Sequence, residues 1–240
     1  MGWGEPSARS LGSRRVEPAE TFADLFDMAV HGPDVWVARS AAYPWGRVYG
    51  GQVAAQGLWA AAATVDPVYV PHSLHAYFVR TGSIDEPIRF EVDRIRDGRS
   101  FATRRVVARQ SGGAILNLSA SFHVVEGAPE TTLLTMPAGL RSPDELPNPE
   151  IDFLFDRRVE DENRARSWLR VPGENSDDPL WHAIAHTFAS DDLPTEAVAS
   201  GVRSTRNGDG RTLVSRRDPH RHGQPGSPAA SSLWVGSPVS

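Results

Sequence analysis

Residues 47–65 read RVYGGQVAAQGLWAAAATV, and this stretch decides the fold. The pair Gly50-Gly51 opens it and Asp66-Pro67 closes it. A helix that is apolar almost all round is a buried one. The apolar residues recur at helical spacing, and they are Val53, Ala54, Leu58, Ala61, Ala62 and Val65. We therefore expect a central helix whose small side chains allow a curved sheet to lie close to it.

The chain after this helix predicts an antiparallel meander. Apolar and polar residues alternate through stretches 74–79, 88–93 and 115–124, as they do in strands that are half buried. Asp97-Gly98 is a strong hairpin turn, and residues 101–109 form the return strand. One buried helix followed by a meander predicts an α+β fold, in which an antiparallel sheet wraps around a central helix.

Two shorter patterns precede the helix. Phe22, Leu25 and Phe26 have helical spacing, with Thr21 as the expected N-cap. Residues 35–38 form a short apolar run that is typical of a strand.

A second unit is predicted after a proline-rich stretch. Residues 126–150 contain five prolines, which is typical of a linker. Two further runs with strand character follow, and then Asp178 caps a helix that has Pro179 at its first position. This repeated order of strand and helix indicates a tandem repeat. No alternating pattern follows the second helix, so the second unit is expected to be incomplete.

The sequence therefore predicts five segments. They are a flexible leader (residues 1–20), a first unit (21–125), a linker (126–150), a partial second unit (151–200) and a disordered or aberrant tail (201–240). The strands expected in the second unit cover residues 151–159 and 166–171.

Composition excludes several classes of function. The chain has 240 residues and no cysteine, so disulfides and thiol nucleophiles are excluded. All of its 25 basic residues are arginine, which excludes a catalytic lysine, and the net charge of −5 argues against nucleic acid as a partner. No apolar run approaches the roughly 20 residues of a membrane span, and residues 1–20 contain no apolar stretch typical of a secretory signal. We expect a cytoplasmic protein.

Four motifs carry a resemblance to a known family. They are RVYGGQVAAQ (47–56), HSLHAYF (72–78), VDRIRDGRSFATR (92–104) and NLSASF (117–122). With these motifs the chain resembles the acyl-CoA thioesterase II family, which has a double hot-dog fold. The resemblance implies a hydrolase of fatty acid metabolism, which cleaves fatty acyl-CoA to fatty acid and CoA without a metal or other cofactor.

The resemblance also implies where the reacting groups lie. In the family they are an Asp on the second helix, a Ser or Thr on a strand, and a Gln near the C-terminus. The run Ala189-Ser190-Asp191 matches the first, so Asp191 is the expected catalytic residue. Neither a Ser-Leu-Asp-His run nor a Gln-Glu-Gly run occurs in the sequence. A non-catalytic acyl-CoA-binding protein, or a defective truncated one, is therefore the alternative to an active thioesterase.

The coding sequence offers one hypothesis for the missing runs. Residues 224–228 can be written with codons that, read one base later, encode Ser-Leu-Asp-His. The tail would then be a frame-shifted ending, and the second helix would expose the apolar face formed by Leu180, Ile184 and Phe188. A hot-dog enoyl-CoA hydratase is a third class, but it would need a closely placed Asp and His on the helix after a short loop, and no such run is found in the sequence.

The remaining candidates each have two interpretations. Gly50 and Gly51 either allow a tight entry to the helix or bring their backbone to a bound thioester or pantetheine. His182 and His186 have a metal-like spacing but lack the His-Glu-x-x-His pattern, so no metal site is predicted. Five arginines either meet CoA phosphates or form a solvated, ion-paired sheet face, and they are Arg94, Arg96, Arg99, Arg104 and Arg105. We expect acyl-CoA as the partner and a homo-oligomer as the assembly.

Overall fold

The computed structural model describes residues 17–127, 138–147, 154, 156–161, 166–171, 178–191 and 232–236. The helices are α1 (Gly50–Ala62) and α2 (Pro179–Ala189). The strands are β1 (Ala29–Val30), β2 (Val35–Ala38), β3 (Tyr69–Phe78), β4 (Ile88–Asp97), β5 (Phe101–Gln110), β6 (Gly113–Val124), β7 (Asp156–Asp161), β8 (Arg166–Arg170) and β9 (Ser232–Gly236).

An antiparallel sheet wraps around α1. Its strand order is β1-β2-β4-β5-β6-β3-β9. Alternation along the strands turns Phe90, Val106 and Leu118 inward, and all three are fully buried. Gly57 of α1 lies against Leu118, so the helix passes directly over the inner face of the sheet. This is the hot-dog fold, and the α+β prediction of a sheet around a central helix is confirmed.

Two glutamines attach the N-terminal segment to α1. The Gln56 side chain donates to the carbonyls of Leu25, at 2.8 Å, and Arg39, at 3.1 Å. Gln52 donates to Gln56 at 3.2 Å and accepts from the Ser40 hydroxyl at 3.3 Å. Both glutamines are fully buried, and buried amides of this kind are stable only when they are hydrogen-bonded.

The predictions for the N-terminal segment need two corrections. The leader does not extend to residue 20: Ala19 is buried, because its N–H donates to the Ser40 carbonyl at 3.0 Å and it forms a parallel bridge with Ala41. The helix expected near Phe22 is only a short 3-10 helix, Ala23–Phe26. It ends early because β1 begins at Ala29. Residues 1–16 lie outside the described part of the chain.

Part of the proline-rich linker packs against the β7–β8 hairpin. Residues 138–147 are described, and they include a 3-10 helix, Pro143–Glu145, that is capped by Ser142. The Arg158 guanidinium donates to the Pro143 carbonyl, and the Trp168 indole donates to the Arg141 carbonyl. The linker prediction therefore describes the composition of this segment but misses its docking.

The second helix begins as predicted. The Asp178 carboxylate accepts from the Leu180 N–H at 2.9 Å, and Pro179 occupies the first position of α2. The exposed apolar face that the frame-shift hypothesis predicts for this helix is not observed: Ile184 and Phe188 are buried in the same core as α1. Aromatic contacts explain the burial, because the Phe188 ring packs edge-on against Phe22 with 5.1 Å between centroids.

One strand appears in the tail, where none was predicted. β9 pairs antiparallel with β3, with Leu74 opposite Val235. The physical reason is the open edge of β3, whose unpaired N–H and C=O groups accept a further strand. The other tail residues lie outside the described part of the chain.

Candidate active site

The N-terminus of α1 is the starting point of the site. Tyr49 is its N-cap residue, with an extended backbone (φ −70°, ψ 132°) and no side-chain cap on its own helix. The first N–H groups of a helix lack intrahelical partners, and they carry a partial positive charge. A negatively charged group is therefore favoured at Gly50 and Gly51.

The C-terminal end of α2 supplies that group. Oδ2 of Asp191 accepts a hydrogen bond from the Gly51 N–H at 3.0 Å, across 140 residues of sequence. Asp191 is half-buried and lies two residues beyond the last residue of α2. The partial negative end of one helix thus meets the partial positive end of the other, and the carboxylate occupies their junction.

The two residues that open α1 have little room for a side chain, and at Gly51 the obstacle is backbone. A Cβ placed on Gly50 would lie 2.5 Å from Oδ2 of Asp191 and 2.9 Å from Cε1 of Phe78. A Cβ placed on Gly51 would overlap the carbonyl oxygen of Phe188. The Gly-Gly pair is therefore explained by the close approach of α2 and not by a positive φ.

Aromatic side chains surround this junction. The Tyr49 hydroxyl donates to the Phe188 carbonyl at 2.9 Å, and the two rings pack edge-on with centroids 5.0 Å apart. Tyr43 lies 6.1 Å from the Tyr49 ring and stacks on Trp45 at 4.9 Å. Phe78, at the end of β3, contributes the opposite wall beside Gly50.

The predicted site residues meet in space. Asp191, Gly50 and Gly51 were selected separately in the sequence, and the structure places the carboxylate against the backbone of both glycines. The Gly51 N–H donates to Asp191, which agrees with a tight entry to the helix, and no contact among the described residues directs this N–H to a substrate. A carboxylate held by a backbone N–H beside aromatic walls can accept a proton from a bound water. Residues 192–231, where a partner hydroxyl or amide would be sought, lie outside the described residues.

Sequence reasoning missed three members of the site. Tyr49, Phe78 and Phe188 all border the Asp191–Gly51 contact. Two of them stand within the family-like motifs 47–56 and 72–78, so the motifs did contain the signal. The contact with Phe188 could not be found from sequence, because it joins residues 139 positions apart.

A histidine pair lies elsewhere, on the sheet. His72 Nε2 is 2.9 Å from the Ser121 hydroxyl, and the His72 ring is 5.0 Å from the His123 ring. Burial, and then the nearby His123, lower the pKa of His72. A small cavity between α1, α2 and β3 reaches His72, and Leu58, Ala183 and Thr187 contribute to its walls.

Two of the five arginines are used within the protein. Arg94 forms two hydrogen bonds with Asp34, at 2.9 and 2.7 Å. Arg104 is 1% exposed and donates to Thr64, to Asp97 and to backbone carbonyls at the end of α1 and in β4. The ion-paired interpretation therefore holds for Arg94, whereas Arg104 is buried and does not belong to a solvated sheet face.

The described residues contain neither a membrane-spanning helix nor a cluster of metal-ligating side chains. No helix among them is long and apolar enough to cross a bilayer. Within the same part of the chain, no group of three or more His, Asp or Glu side chains could hold a metal ion.

Known proteins resemble this chain in both sequence and structure. Residues 40–123 match the model of the acyl-CoA thioesterase N-terminal domain. Acyl-coenzyme A thioesterase 8 of Mus musculus is 39% identical over 132 residues, which are 55% of this chain and 39% of the mouse protein. The chain therefore spans about two fifths of the length of this curated relative.

Solved structures extend the similarity beyond the first unit. The acyl-CoA thioesterase II TesB2 of Mycobacterium marinum is 30% identical, with a TM-score of 0.60 over 76% of this chain and 71% of that one. A tesB protein of Mycobacterium avium subs paratuberculosis is 27% identical, with a TM-score of 0.63 over 75% and 73% of the two chains. With its hot-dog unit, its thioesterase motifs and this coverage, the chain belongs to the acyl-CoA thioesterase II family.

Proposed function

We propose that this protein is an acyl-CoA thioesterase that hydrolyses fatty acyl-CoA to fatty acid and CoA. The observation that carries the proposal is the hydrogen bond from the Gly51 N–H to Asp191, at the junction of the two helices. The names of the related proteins supply the substrate class. Asp191 is proposed as the catalytic residue. The Gly51 N–H binds its carboxylate, and Gly50 lies beside it.

The chemistry needs one base and a site of positive potential. Asp191 takes a proton from a water, whose oxygen attacks the thioester carbonyl carbon. The positive end of α1 stabilises the negative charge that develops on the carbonyl oxygen. The C–S bond then breaks, and CoA leaves as a thiolate and takes up a proton. Since a thiol has a pKa of about 8–9, by analogy with cysteine, the leaving group needs no strong acid.

A thiol-release assay with medium- and long-chain acyl-CoA tests this proposal. Wild-type protein is expected to release CoA, and Asp191→Asn is expected to lower kcat by about 100-fold or more, because the base is lost. Asp93→Asn, on the exposed outer face of β4, is the matched control and should retain wild-type turnover. Equal turnover in wild type and Asp191→Asn would refute the assignment.

A second function is favoured by one feature of the sequence. The Ser-Leu-Asp-His and Gln-Glu-Gly runs are absent, so the groups that would hold the water beside Asp191 are not identified. The alternative is an acyl-CoA-binding protein without turnover. A non-hydrolysable thioether analogue of acyl-CoA separates the two: binding of the analogue without release of thiol from acyl-CoA supports the alternative.

Assembly and location belong to the same proposal. Tyr77 and Phe101 are 48% and 49% exposed, and a homo-oligomer would cover such apolar surface. Light scattering after size-exclusion chromatography tests this, and a monomer would contradict it. A cytoplasmic location is proposed from the sequence, and fractionation of the source cells tests it.

A further inference from the structure

Tyr49 contacts Gly51 and the end of α2 that carries Asp191. Its hydroxyl donates to the Phe188 carbonyl at 2.9 Å. Its ring covers Gly51 so closely that a Cβ there would lie 2.5 Å from Cε1 of Tyr49. An N-cap side chain usually bonds to its own helix, and Tyr49 instead reaches the end of α2.

A hydrogen-bonded turn at the end of α2 connects Phe188 to Asp191. Phe188 lies three residues before Asp191, and the turn between them is hydrogen-bonded at Ser190, whose N–H donates to His186 and whose hydroxyl donates to Thr187. Holding the Phe188 carbonyl therefore limits the directions in which Asp191 can point. Small misplacements of a reacting group lower turnover strongly.

We infer that Tyr49 is a positioning residue, which orients Asp191 through the Phe188 carbonyl. The inference rests on the proposed function of Asp191. Tyr49 itself transfers no proton in the reaction. Its hydroxyl fixes the end of α2, and its ring keeps the Gly51 N–H covered and directed at the carboxylate.

Tyr49→Phe removes the hydroxyl and keeps the ring. We expect kcat to fall about three- to tenfold, the effect of one lost hydrogen bond, while KM changes less than twofold. Tyr69→Phe is the matched control. Tyr69 is the first residue of β3, and its hydroxyl also donates to a backbone carbonyl, that of Gly98, at 2.7 Å. It should leave both kinetic constants within twofold of wild type.

A double-mutant cycle separates positioning from general stability. If Tyr49 acts through Asp191, Tyr49→Phe has no further effect on the residual turnover of Asp191→Asn. An equal fall in turnover in both backgrounds would overturn the inference. So would wild-type kcat in Tyr49→Phe.

Hydrogen exchange of the Gly51 amide gives a readout that does not depend on turnover. We expect NMR to show slow exchange in wild type, exchange at least threefold faster in Tyr49→Phe, and no change in Tyr69→Phe. Failure of thiol release in wild type would remove the proposed function. Unchanged Gly51 exchange in Tyr49→Phe would remove the role of Tyr49 whether or not the protein turns over.

Discussion

The two ends of α1 are held in different ways. At its C-terminal end the side chain of Arg104, which belongs to the same hot-dog unit, bonds to Thr64 and Asp97. At its N-terminal end the partners are Phe188 and Asp191, from a helix about 140 residues away. The first arrangement is local and structural. The second creates a site, because it leaves a carboxylate and aromatic rings where two separate parts of the chain meet.

Removing the ring of Phe188 should have the largest effect on stability. Phe188 is 0% exposed, and Phe188→Ala is expected to lower the free energy of unfolding by about 3–5 kcal/mol, because it leaves a cavity. Phe90→Ala, inside the first unit, should cost a similar amount. Hydrogen exchange distinguishes them: Phe188→Ala should speed exchange in α2 selectively, and Phe90→Ala throughout the sheet. Uniform acceleration in both variants would show that the two regions unfold as one.

Replacing Arg104 tests the contacts that hold the C-terminal end of α1. Arg104→Lys removes the planar group that donates to several acceptors at once, and we expect a loss of about 2–4 kcal/mol because buried carbonyls lose their donors. Arg105→Lys, on the exposed outer face of β5, is the control. Urea unfolding measures both. At temperatures where the protein stays folded, kcat in Arg104→Lys should remain near wild type. A large fall in kcat would contradict the claim that the C-terminal end of α1 contributes to stability and not to turnover.

Adding a methyl group at Gly51 tests the N-terminal end of α1, where the candidate active site lies. Gly51→Ala forces α2 away from α1, and overpacking of this kind typically costs about 1–3 kcal/mol. We expect turnover to fall together with stability. Gly57→Ala is the control, because its Cβ would meet side chains and no backbone atom, the nearest being Leu118 at 3.3 Å. Wild-type turnover in Gly51→Ala would show that the close approach of the helices is not required.

The smallest expected effect is a dependence of stability on pH through His72. Burial and the nearby His123 hold the pKa of His72 below its ordinary value of about 6.5. The folded state therefore binds fewer protons than the unfolded one, so stability is full above about pH 6.5 and falls as the pH drops through that value toward the folded pKa.

Urea unfolding between pH 8 and 5 checks this dependence. His72→Gln should flatten it, whereas His31→Gln, at an exposed position, should not. Unchanged pH dependence in His72→Gln would mean that other groups are responsible.

Local patterns predicted most of the first unit. Alternation predicted the strands that became β3, β4 and β6, the Asp97-Gly98 turn predicted β5, and the Ala-rich run predicted the buried α1. Asp178 and Pro179 predicted the start of α2, because the cap and the proline act on residues 178–180 alone. These features depend on neighbours in the sequence, and sequence patterns report on such neighbours directly.

Contacts between distant segments were not predictable from pattern. The pairing of β9 with β3 and the burial of Ala19 against Ala41 depend on an edge or surface built elsewhere in the chain. The resemblance to the family selected Asp191, but it did not place the carboxylate on the Gly51 N–H or show that Tyr49 holds Phe188. The geometry of the site is therefore the part that the sequence patterns did not predict.

The most direct test of this account is thiol release from a long-chain acyl-CoA by wild-type protein and by Asp191→Asn, measured side by side. The account predicts turnover by wild type and a loss of about 100-fold or more in the variant, because Asp191 is the proposed base. Wild-type protein that binds the thioether analogue but releases no thiol, or equal rates in the two proteins, would contradict it.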